Sequence, residues 1–87
     1  MGHSSPYNYQ LQAQTIDGST AIMGAESIRK ARHLLEGLHE KEPAVFTGQG
    51  YLWAQTSKAK NTIPYGFDFL HFVWTDGLLS VMPSKIT

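Results

Sequence analysis

From Tyr7 to Ile16 the chain alternates between apolar and polar positions. Tyr7, Tyr9, Leu11 and Ala13 fall on one side, and Asn8, Gln10, Gln12 and Gln14 on the other. A period of two predicts a strand with one buried and one solvated side. Asp17-Gly18 is a hairpin signal, and Thr20 to Met23 reads as the returning strand, with Ile22 expected opposite Ala13. A helix starting at Thr20 is the rival reading, and Gly24 sits awkwardly in it.

The period then lengthens. Ile28, Ala31, Leu34, Leu35 and Leu38 recur at the spacing of a core-facing helical stripe, which predicts a helix from Ala25 to about Leu38. Glu26 would lie in its first turn, where the helix dipole favours negative charge. Gly37 reads either as a left-handed cap or as an interior glycine, and Pro43 ends any helix by that point. Ala44 to Thr56 is expected to hold a third and a fourth strand around Gly48-Gln49-Gly50, pairing Phe46 near Leu52 and Val45 near Trp53. Ser57 to Pro64 is the most loop-like segment.

Phe67 to Met82, FDFLHFVWTDGLLSVM, stands apart because it is apolar on both sides. Asp76-Gly77 predicts a two-residue turn, which pairs Trp74 with Leu79 and Phe72 with Val81. Leu70, Phe72 and Trp74 then share one side, expected against Ile28, Leu35 and Leu38 of the helix. Phe69, His71, Val73, Leu78 and Met82 share the other. One amphipathic helix covers one side only, so an apolar patch on the order of several hundred Å² is left to be covered by something else.

These elements make an α+β domain, a single helix on a mostly antiparallel sheet of five or six strands. The order is ββαββββ, or ββαβββ if Ala44 to Thr47 is irregular. Residues 1–6 read as a tail or expression remnant and 7–87 as one domain. The chain has 87 residues, too few for two cores.

Composition narrows the function classes. Seven Lys and Arg balance seven Asp and Glu, which argues against a basic nucleic-acid or membrane-surface protein and against an acidic DNA mimic. The absence of cysteine removes disulfides and thiolate metal sites and fits a cytoplasmic location. No apolar run approaches the roughly 20 residues that span a bilayer, and the first ten residues do not read as a signal peptide.

Candidate chemistry is sparse. His33, Glu36, His39 and Glu40 do not share one helical face in a ligating pattern, so no metal site is expected, and no cofactor motif occurs. Phe67, Phe69, His71, Val73, Leu78 and Met82 are the expected interface or binding surface. A pocket for a small hydrophobic ligand, walled by Tyr65, His71, Phe69 and Met82, is a second reading that would serve a binding protein or an enzyme. A third sets Arg29, Lys30, Arg32, Lys58 and Lys60 beside Tyr51 and Trp53 as a weak nucleic-acid surface. The first is preferred: a small interaction module of accessory, inhibitor or immunity type, expected to form a homodimer through the C-terminal hairpin and to bind another protein in turn. No catalytic constellation is present.

Overall fold

The computed structural model describes residues 7–86; the expected tail, residues 1–6, lies outside them. Five strands form one antiparallel sheet: β1 (Tyr9–Thr15), β2 (Thr20–Ala25), β3 (Phe46–Ala54), β4 (Phe69–Thr75) and β5 (Leu78–Ser84), in the order β2-β1-β3-β4-β5. One main helix, α1 (Ile28–Lys41), packs on one side of it, and a single turn, α2 (Ser57–Lys60), closes one end of the core. This is the expected α+β architecture in its five-strand form.

The first hairpin departs from expectation by one residue. Its loop is Ile16-Asp17-Gly18, closed by the Thr15 N–H donating to the Ser19 carbonyl at 2.9 Å. Gly18 takes φ 94°, a conformation that favours glycine at the third loop position. The Ser19 N–H and the Thr15 and Ser19 hydroxyls converge on the Asp17 carboxylate and hold its pKa down, to about 2. A three-residue loop in place of two moves the register by one, so Ile22 pairs with Gln12 and Ala21 with Ala13. A one-residue shift moves a side chain to the other side of a sheet, and Ile22 accordingly stands 64% exposed on the side away from the helix.

The helix begins later than its apolar stripe suggests. Ala25 remains in β2, paired with Tyr9, and Ser27 caps α1 by accepting the Lys30 N–H at 3.1 Å. Glu26 therefore precedes the first turn. Gly37 is interior, and the helix runs on to Lys41 before Glu42, the residue ahead of Pro43, leaves helical geometry. Ala31 and Leu35 are buried, with Ile28, Leu34 and Leu38 packed around them.

Gly48-Gln49-Gly50 is not a turn. It lies inside β3, one strand whose ladder to β1 is interrupted near Gly48, at φ 85°. Neither Phe46 with Leu52 nor Val45 with Trp53 is a pair; Leu52 pairs with Leu11 and Trp53 with Gln10. Both glycines face the helix side, where a side chain would not fit. A Cβ on Gly50 would lie 2.6 Å from the Gln12 carbonyl oxygen and 3.1 Å from Leu35 Cδ2.

The last hairpin forms as its sequence predicts. Asp76 and Gly77 take φ 53° and 80°, and Trp74 pairs with Leu79, Phe72 with Val81 and His71 with Met82. Phe72, Leu11, Leu35 and Leu52 are the largest fully buried side chains. Trp74 sits at the margin, its indole N–H donating to the Thr47 carbonyl at 2.9 Å. Truncating Phe72 to alanine removes the largest of these and should cost ~3–5 kcal/mol. That loss, read as a lower denaturation midpoint in urea, is a large share of the stability of a small domain.

Candidate functional site

Register brings together a surface on the outer side of the sheet, away from α1. Successive cross-strand pairs lay a row across all five strands: Ile22, Gln12, Tyr51, His71 and Met82. Beside it runs a second row, Gly24, Gln10 and Trp53, continued by Phe69 and Ser84. Four rings meet at the centre. Tyr51 stacks on His71 with centroids 4.6 Å apart, Trp53 stacks on Phe69 at 4.4 Å, and Tyr51 meets Phe69 edge-on at 5.6 Å. Offset and edge-to-face pairs of this kind add about 0.5–1.5 kcal/mol beyond the area they bury.

The stacking has two chemical consequences. One side of each ring is already covered by its neighbour, so the cluster is a ridge of packed rings with less open face for stacking bases. The Trp53 Nε1 and His71 Nε2 atoms lie within the ridge, shielded from solvent and without a hydrogen-bond partner. Burial alone pushes the His71 pKa below the ordinary histidine value.

Among the described residues, charge is absent from the strands' outward positions. These positions carry Gln, Thr, Ser, Gly, aliphatic and aromatic side chains, and His71 and Tyr51 are their ionisable groups. Around the ridge, Met82 is 51% and Leu78 72% exposed.

Of the expected surface residues, Phe69, His71, Val73, Leu78 and Met82 lie on this outer side. Phe67 does not join them. It lines a small dent with Ala54, Lys60 and Ile63, and the Lys85 ammonium lies 5.8 Å from its ring centroid. Tyr65 is fully exposed in the loop before β4. The expected nucleic-acid surface is divided: α1 carries Arg29, Lys30 and Arg32 on the inner side of the sheet, and α2, with Lys58 and Lys60, packs its Ala59 into the same inner core. Tyr51 and Trp53 face the opposite way. His39 of the helix bonds through Nδ1 to the Phe46 carbonyl at 2.9 Å and packs beside Trp74, and no group of three potential ligands is placed to hold a metal among the described residues.

Segment 57–64 leaves the outer side open. Its Ala59 and Ile63 pack against the inner core, and Thr62 accepts the Tyr9 hydroxyl at 2.6 Å while donating to the Ala59 carbonyl. Tyr51 and Trp53 are the residues that sequence reasoning did not place in the site. The signal was available in the alternation Gly50-Tyr51-Leu52-Trp53, once Gly48-Gln49-Gly50 is read as strand rather than turn.

No protein-family model, curated protein or solved structure matches the chain. The stacking itself is measurable. A double-mutant cycle of Trp53→Ala and Phe69→Ala, read by chemical denaturation, should give a coupling of about 0.5–1.5 kcal/mol.

Proposed function

We propose that this protein is a small cytoplasmic interaction module, of accessory, inhibitor or immunity type, that assembles as a homodimer through the outer side of its sheet. The observation that carries the reading is that, among the described residues, the strands' outward positions lack charge in a chain that has seven basic and seven acidic residues. Loss of charge at the centre with aromatic enrichment is the compositional mark of an interface core, and the flanking Gln10, Gln12, Ser80 and Ser84 supply the polar rim such a core needs.

Area supports the same reading. Five strands spaced ~4.8 Å apart and about seven residues long span roughly 24 by 23 Å, a flat footprint of about 550 Å². Side-chain relief raises the accessible area towards the roughly 800 Å² per partner of a standard interface. Two-fold closure is the commonest way for such a patch to cover itself. Among the described residues no helix is long and apolar enough to cross a membrane.

Light scattering at micromolar concentration should give about twice the 9.7 kDa chain mass. Val73, on the outer side beside His71 and paired with Ser80, is the position for a test. A lysine there would enter a desolvated interface at a cost of several kcal/mol, but would cost a free monomer only about half a kcal/mol. Val73→Lys should therefore remain folded by circular dichroism and scatter as a single chain. A folded variant of wild-type mass would remove the outer side as the interface.

A further inference from the structure

Among the described residues, His71 is the group on the outer side whose ordinary titration falls between about pH 5 and 8. Its surroundings are uniform. Tyr51 of β3 stacks on it, Met82 of β5 pairs with it, Phe69 and Val73 flank it along β4, and Ser80 and Ser84 lie to either side of Met82. None of these is a carboxylate or an ammonium group, and both helices pack on the other side of the sheet. Its Nε2 is shielded and has no acceptor to receive a proton. Protonation there leaves a charged N–H without a partner, which is costly wherever water is excluded.

We propose that the homodimer is proton-gated: neutral His71 permits the two sheets to pack, and protonated His71 separates them. The inference rests on the dimer reading above. In the free monomer, small ring movements let water reach an imidazolium at the surface. In the dimer the partner's apolar side chains seal it, and the two-fold axis brings two such charges into one dry layer. The burial that already lowers the pKa of His71 in the single chain acts in the same direction and deepens on assembly.

The sign follows from linkage. The monomer binds protons more readily than the dimer, so each dimer that dissociates takes up two. The dissociation constant should rise by up to about a hundredfold per pH unit below the monomer's histidine pKa, and level off once the dimer itself is protonated.

The test compares wild type, His71→Gln and His71→Phe by sedimentation velocity in dilution series at about pH 7.5 and about pH 5.5, with circular dichroism on each sample. Glutamine keeps a neutral polar side chain, and phenylalanine keeps the ring that stacks on Tyr51. Wild type should weaken several-fold at the lower pH, while whichever variant is a folded dimer at the higher pH stays dimeric at both. A wild-type dimer equally tight at both pH values overturns the gate and leaves the dimer standing. A variant that dissociates as far as wild type, or loss of the folded spectrum in all three proteins over the same range, also overturns it. Wild type that is monomeric throughout overturns the dimer reading, and the gate with it.

Discussion

The helix can lie close on the middle of the sheet because β3 carries glycine at two helix-facing positions, Gly48 and Gly50. At Gly50 a Cβ would press on the Gln12 carbonyl oxygen and on Leu35. At Gly48 it would come within 2.8 Å of the Trp74 indole nitrogen and 3.1 Å of His39 Cβ. Leu35 fills the first gap, and Trp74 with His39 fills the second. The close seat directs the whole apolar stripe of α1, from Ile28 to Leu38, into one layer with Leu11, Leu52 and Phe72. Nothing on the helix remains to serve the other side of the sheet.

That constraint explains the outer side. β3 to β5 carry apolar residues outward as well as inward, and the outward rings can be sheltered only by one another. Cross-strand pairing allows this, because directly opposed side chains in an antiparallel ladder have Cβ atoms about 4.5–5.5 Å apart. Tyr51 and His71 are such a pair, and their ring separation of 4.6 Å follows from the register. The charged residues take the remaining places, on α1, α2, the loops and the chain beyond the strands. Segregation of this kind gives a molecule that is neutral overall one side that water wets poorly and another that it wets well.

Much of this was legible in the sequence wherever one local rule decided the outcome. Asp76-Gly77 determined its turn, the turn determined the register, and the register assigned Phe72 inward and His71 outward without reference to the rest of the chain. The same rule failed at Asp17-Gly18, because the dipeptide does not say how many residues the loop holds. The count is decided by Thr15, Asp17 and Ser19 acting together, and it moved Ile22 from the expected inner side to the outer. Gly48-Gln49-Gly50 misled for a different reason. Glycine serves turns through its free backbone and tight packing through its missing side chain, and only the position of a distant helix distinguishes the two uses. Tyr51 and Trp53 were lost from the expected site through that ambiguity, whereas Phe69, Val73 and Met82 kept their places on the outer side.

The composition of the inner core links the two sides energetically. Four of its buried members are alanines, Ala13, Ala25, Ala31 and Ala59, so it is rich in close approach and poor in apolar area. A domain of this size buries a modest share of its surface, and its stability margin is small to begin with. A partner that binds only the folded chain adds stability in proportion to the logarithm of its concentration over the dissociation constant, about 2.7 kcal/mol at a hundredfold excess. Under the proposed assembly that increment is a substantial fraction of what the core alone provides. Folding and association are then linked equilibria, and a proton that weakens the outer contact also lowers the stability of the chain carrying it.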